Sequence, residues 1–159
     1  MKPRVVVSRC LGFEHCRWNA KIVNSDAVEV LRESVEFVTV CPEQDIGLGV
    51  PRKPINLVLV DGVVRVIQSE TGRDVTDDLR GFSVSFLENL GKVDGFILKS
   101  RSPSCGWGTT KIHDGSSVKM GSGVFASCVE THYPDAVILD EEMLEKMGPD
   151  AFLRLLEAT

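Results

Sequence analysis

The chain has 159 residues, 43% of them hydrophobic and 26% charged, which suits one compact cluster of elements with a core able to fold unaided. A net charge of −5 argues against bulk nucleic-acid binding driven by phosphate neutralisation, and no apolar run reaches the roughly eighteen residues of a membrane span. Lys2 and Arg4 precede only the short run Val5-Val6-Val7, too brief for an export segment, so the expected location is the cytoplasm.

In chain order, residues 4–8 form a β-branched run that predicts a buried strand. Residues 25–34 read as a helix with Ala27, Val28 and Leu31 on one face and Asn24 or Ser25 as N-cap. Residues 36–40 predict a second strand, stopped by Cys41-Pro42. Residues 55–60 and 63–67 flank Asp61-Gly62, a strong hairpin signal because both turn positions favour positive φ. Thr76 is placed to cap a helix over 77–91, with Leu79, Phe82, Phe86, Leu87 and Leu90 at helical spacing. Residues 95–99 predict a further buried strand. Ser122 is placed to cap a helix over 123–132, followed by a strand at 136–139 and helices over 141–147 and 149–158. His113-Asp114-Gly115 reads as a turn. The alternation predicts a single α/β domain over residues 1–159. It would be Rossmann-like, with a mainly parallel sheet covered by helices on both faces and an inserted β-hairpin.

In such a sheet, ligands bind outside the carboxyl ends of the strands. Cys10, Cys41 and Cys105 each follow a predicted strand, so distant parts of the chain would deliver them to one rim. Their segments are polar and turn-rich, unlike the setting of a core cysteine. The five cysteines are an odd count without an export signal, which disfavours a disulfide framework. Three thiolates can hold a cubane with one iron open, or a zinc ion with an open position, and spacing alone leaves both available. Cys16, six residues after Cys10, could be a fourth ligand that closes the cluster but reads rather as a nearby free thiol, and Cys128 as a core residue in a stripe with Val124, Phe125 and Val129. Arg4, Arg9, Arg17, Arg52, Lys53, Lys99 and Arg101 lie near the cysteines in sequence and would make the cleft locally basic. Glu43, two residues past Cys41, can reach the same pocket. Ser102 and Ser104 flank Pro103 and can hydrogen-bond a substrate or a sulfur. Trp107, between Gly106 and Gly108, is a candidate to stack on a flat heterocycle, as is Trp18.

The segments Val-Ser-Arg-Cys-Leu-Gly, Cys-Pro-Glu, Gly-Arg-Asp-Val-Thr and Leu-Lys-Ser-Arg-Ser-Pro-Ser-Cys-Gly resemble the thiouracil desulfidase family, a small prokaryotic family formerly filed as a domain of unknown function. His-Asp-Gly at 113–115 and Gly-Ser-Gly-Val at 121–124 also match its pattern. The resemblance spans about residues 4–140. It implies a [4Fe–4S] cluster on Cys10, Cys41 and Cys105, and non-redox hydrolytic release of sulfide from a thiolated pyrimidine or related small thioamide. It further implies Glu43 as the proton-transfer residue and Ser102 as a substrate or relay residue. Ser104, Trp107 and Arg17, the last in the family-like Arg17-Trp18-Asn19, are the expected substrate contacts. The alternatives are a non-catalytic iron–sulfur or sulfide carrier and a zinc-stabilised domain.

Overall fold

The computed structural model of the protein describes residues 1–158, so Thr159 lies outside the described residues. In chain order the elements are β1 (Arg4–Ser8), α1 (Asp26–Leu31), β2 (Glu36–Val40), α2 (Pro42–Asp45), β3 (Ile55–Val60), β4 (Val63–Gln68), α3 (Thr76–Glu88), β5 (Gly95–Leu98), β6 (Thr110–Asp114), β7 (Ser117–Gly121), α4 (Val124–His132), β8 (Val137–Asp140), α5 (Glu141–Met147) and α6 (Pro149–Glu157).

They build two four-stranded sheets. The first has order β2-β1-β5-β8 and is parallel throughout. Strand alternation explains its two packed faces. Val5 and Val7 of β1, with Ile97 and Leu139, pack toward Leu31 of α1, Leu144 of α5, and Phe152 and Leu156 of α6. Val6, with Phe96 and Leu98, packs the other way toward Leu87 of α3 and Phe125 and Val129 of α4. Burying each such side chain stabilises the fold by about 1.5–3 kcal/mol. The expected parallel sheet with helices on both faces is therefore present. No helix among the described residues is long and apolar enough to cross a membrane.

The second sheet, order β4-β3-β6-β7, goes beyond the single hairpin read from the sequence. Asp61 and Gly62 turn with φ of 49° and 79°, joining β3 to β4 as expected. A second hairpin, β6–β7, turns at Gly115 and docks parallel to β3 through Leu57↔Ile112 and Val58↔His113. It escaped the sequence reading because β7 is a five-residue strand with only two apolar residues, Val118 and Met120, and both stay exposed. Ile55, Leu57, Val66 and Ile112 bury this sheet's inner face with Val75 and Leu79.

Two helix starts differ from expectation. Val75, not Thr76, occupies the N-cap of α3, and Thr76 is drawn inward: its hydroxyl donates to Asp74 Oδ1 (2.6 Å) and accepts from Val66 N (2.7 Å). Ser122 does not cap α4; its hydroxyl accepts from Gly108 N (2.8 Å) while Gly123 takes the N-cap. The first amides of α4, Phe125 N and Ala126 N, donate to the Ser104 carbonyl (2.9 and 3.2 Å). Gly123 is required for that approach, since a Cβ there would lie 2.5 Å from the Ser104 carbonyl carbon and oxygen. The start of α4 thus holds the loop that carries Cys105.

Candidate active site

The carboxyl ends of β1, β2, β5 and β8 open into one cavity of about 800 Å³, walled on the far side by residues of β3, β6 and β7. Cys10, Cys41 and Cys105 all line it, as the strand-end argument requires. Cys10 sits in a turn closed by Leu11 N to Ser8 O (2.9 Å) and Phe13 N to Arg9 O (3.1 Å). Cys41 is the N-cap residue of α2, with Pro42 fixing the next φ. Arg9 ties these two segments together: its guanidinium pairs with Asp45 (3.1 Å), and Asp45 in turn accepts from Cys41 N (3.4 Å). Cys105 follows a serine turn in which Ser102 Oγ accepts from Ser104 N (3.2 Å) and Cys105 N (3.0 Å).

Cys16 also lines the cavity, fully buried, and its side chain interacts with those of Cys10 and Cys41. Sequence spacing placed it near the site; the fold brings it to the same cavity wall, its carbonyl 3.7 Å from Cys41 Sγ. The interaction with Cys10 is the main cause pushing the Cys16 thiol up to about 11, burial adding to it. Cys41 is raised as well, first by its interaction with Cys16 and then by burial. Burial is the leading cause pushing Cys105 up to about 12, against the hydroxyls of Ser8 and Ser104. These thiols ionise only beside a compensating positive charge, which a bound metal group supplies.

Glu43 is buried at the same cavity. Its Oε1 accepts from Arg52 Nε (3.2 Å) and its Oε2 from Ser104 Oγ (3.0 Å). Because the Ser104 proton is directed at the carboxylate, the 3.1 Å contact between the two serine hydroxyls has Ser102 as donor. A chain therefore runs Ser102 to Ser104 to Glu43. Arg52 was legible only as one of several nearby cations. It anchors the site with further bonds from Nη1 to the carbonyls of Cys16 (2.9 Å) and Gly49 (2.9 Å).

A second buried carboxylate went unnoticed in the sequence. Glu141, first residue of α5, accepts from Ser100 N (2.7 Å) and Ser100 Oγ (2.8 Å) and pairs with Lys99 Nζ (3.2 Å). Burial opposes its ionisation, but the Ser100 bonds and the Lys99 charge outweigh it and hold the carboxyl below its ordinary value. Its position at a strand–helix junction on the carboxyl edge was the available signal.

Arg17, Trp18 and His113 line the cavity. Trp107, expected against the substrate, is not among the lining residues. Its ring packs beside the α3–α4 core, in the cluster that also holds Cys105, and its indole N–H donates to Glu130. Cys128 packs in the same apolar cluster, as its helical stripe predicted.

Parallel strands thus place thiols beside hydrogen-bonded carboxylates at one rim of an α/β protein. The family model described as 2-thiouracil desulfurase matches residues 5–142, and the chain belongs to that family, one of enzymes that cleave a carbon–sulfur bond. A curated relative, the uncharacterized protein YbbK of Bacillus subtilis (strain 168), is 30% identical over 135 residues, covering 79% of this chain and 89% of its own. Among solved structures, the [4Fe–4S]-dependent thiouracil desulfidase TudS superposes with a TM-score of 0.70 at 25% identity, covering 91% of this chain and 95% of its own.

The donor set can be weighed against such a cluster. Among the described residues no group of three or more His, Cys, Asp and Glu side chains is gathered to hold a metal ion. A single zinc draws all its thiolates to about 2.3 Å from one point. A cubane instead places each ligand on a different iron and asks for a wider spread. Soft donors from three strand ends around a roomy cavity, Cys10 and Cys105 buried and Cys41 half-buried, fit the second demand.

Proposed function

We propose that this chain is a [4Fe–4S]-dependent desulfidase acting on a small thioamide of the 2-thiouracil type, with residues 1–159 forming one cluster-binding domain. The observation that carries the reading is the convergence of Cys10, Cys41 and Cys105 on one cavity beside the Arg52–Glu43–Ser104 network. These three thiolates would hold the cluster. When bound, it supplies a Lewis-acidic iron that takes the soft thiocarbonyl sulfur.

The reaction exchanges no electrons. One water adds its oxygen to the thiocarbonyl carbon, the C–S bond breaks, and a carbonyl product and hydrogen sulfide result. The protein's task is to position the ring and move protons. Glu43 is the base that takes a proton from the attacking water. Arg52 Nε fixes the orientation of the carboxylate. Ser104 Oγ has two acceptors, Glu43 Oε2 at 3.0 Å and Cys105 Sγ at 3.8 Å. Turning its proton toward the sulfur frees a lone pair on Oε2 for the incoming proton. Ser102 follows as donor to Ser104. Arg17 and Trp18, which also line the cavity, contact the heterocycle, Trp18 offering a flat face.

The test is anaerobic reconstitution followed by iron and acid-labile sulfide analysis and a sulfide-release assay with 2-thiouracil. Cluster loading and release abolished by Cys41→Ala support the reading. Stoichiometric zinc without iron defeats it, and a loaded protein that turns over no thiobase points instead to a carrier.

A further inference from the structure

We propose that Cys16 is a fourth sulfur donor to the cluster, bound in the absence of substrate at the iron that Cys10, Cys41 and Cys105 leave free. The substrate's sulfur would displace it. This rests on the preceding reading of the site.

Cys16 is fully buried yet lines the same cavity as Cys10, Cys41 and Cys105, and its carbonyl lies 3.7 Å from Cys41 Sγ. Its side chain interacts with those of Cys10 and Cys41, so a group that those two sulfurs hold is within its reach. Its backbone is clamped, with the carbonyl accepting from Arg52 Nη1 (2.9 Å) and Cys41 Sγ (3.7 Å). The clamp leaves rotation about the Cα–Cβ bond as the motion that engages or withdraws the sulfur. Cys128 is the internal contrast, a thiol off the cavity among apolar side chains of α3 and α4. Each iron of a cubane takes one ligand besides its sulfides. A tethered thiolate, at an effective concentration in the millimolar range, competes well for an otherwise open vertex. The exchange balances: the Cys16 thiolate leaves the iron and gains a proton from water, the thiocarbonyl sulfur takes its position, and no oxidation state changes.

The experiment compares anaerobically reconstituted wild type, Cys16→Ser and the off-cavity control Cys128→Ser. 2-Mercaptoethanol is titrated while the visible spectrum reports thiolate binding to iron. Cys16→Ser should bind it roughly tenfold more tightly than wild type, because no tethered thiol competes, and Cys128→Ser should match wild type. Under mild ferricyanide, Cys16→Ser should also convert faster to a three-iron cluster, read by electron paramagnetic resonance. Equal affinity and equal conversion at equal iron content would overturn the proposal. Should Cys16→Ser fail to load, Mössbauer spectra of resting wild type decide: four thiolate-ligated irons support it, and one iron set apart by oxygen ligation overturns it. A wild type that binds no iron or sulfide removes the cluster reading and this inference together, so the two failures are distinguishable.

Discussion

Two buried carboxylates face one cavity with nearly the same equipment. Glu43 and Glu141 are 9% and 8% exposed, and each meets one cation and one serine hydroxyl. What separates them is spare capacity. Glu141 holds both Ser100 donors and Lys99, and its serine is committed to it and to Lys99. It fastens the end of β5 to the start of α5. Glu43 receives two side-chain bonds, and its serine has a second acceptor in Cys105. A carboxylate that must accept a proton needs a place for it, and only Glu43's partner can step aside. Composition alone would assign the two the same role; the bonding supports the proposal that Glu43 serves the chemistry and Glu141 the fold.

The largest expected effect breaks the pair apart most directly. Glu43→Gln keeps an acceptor for Arg52 but removes the base, and kcat should fall by about 10²–10⁴-fold with iron content near wild type. Loss of the cluster in that variant would show that Glu43 matters to assembly instead. Glu141→Gln should behave in the opposite sense. It weakens charge-assisted bonds in a buried network, so unfolding should become easier by about 1–3 kcal/mol, while kcat at room temperature stays within about threefold of wild type. A drop in kcat as large as that of Glu43→Gln, at full loading, would erase the distinction.

The stability effect of Glu141 carries a pH signature. Its carboxyl is held below its ordinary value in the fold. It therefore stabilises the native state fully at pH above the unfolded value of about 4.3, and that contribution is lost as pH falls through the lower folded value. The denaturation midpoints of wild type and Glu141→Gln should differ by a constant amount near neutral pH and converge as pH falls through the lower folded value. Lys99→Met, which removes the cation paired with Glu141, provides the control. A gap that persists unchanged into acid would mean the ion pair is not what Glu141 contributes.

How much of this contrast the sequence displayed follows from where each signal resides. The cysteine rim was legible because strand-end placement is a local property: a β-branched run followed by a polar, Pro- or Gly-bearing cysteine segment reads the same way three times. Glu43 was legible for the same reason, two residues from Cys41. Glu141 looked like any acidic residue in the first turn of a helix, and its partner Ser100 lies 41 residues away. Arg52 was visible as a charge but not as Glu43's partner, since the loop from Gly47 to Pro54 brings it back by tertiary packing. Hairpin β6–β7 was missed because its outer strand is short and its two apolar residues, Val118 and Met120, are exposed, although Asp114-Gly115 repeats the dipeptide that revealed the first hairpin. Cys16 was recognised as near the site, but only the fold shows that it is buried in the wall of the same cavity as the other three.

The serines give a finer test than the carboxylates. Ser104→Ala removes the hydroxyl that steps aside for Glu43, and kcat should fall about tenfold, near 1.4 kcal/mol of barrier. Ser100→Ala should leave kcat near wild type and lower stability by about 1 kcal/mol, the worth of one buried hydrogen bond. Equal kcat losses for the two would show that both networks serve the chemistry, or neither.

The smallest effect belongs to Trp107, which the sequence nominated for substrate stacking and the fold carries off toward Glu130. Trp107→Phe keeps most of the apolar contact with the α3–α4 core and loses the indole N–H bond, so stability should drop by about 0.5–1.5 kcal/mol. KM for the thiobase should remain within about twofold, a change under 0.5 kcal/mol. Trp18→Ala, in the cavity wall, should raise KM by at least as much as a lost aromatic contact of about 0.5–1.5 kcal/mol predicts. Should Trp107→Phe move KM as far as Trp18→Ala does, the ring must reach the substrate by a rearrangement of the Gly106–Gly108 turn. The boundary drawn between the sulfur-lined cavity and the apolar core behind it would then have to be redrawn to include that turn.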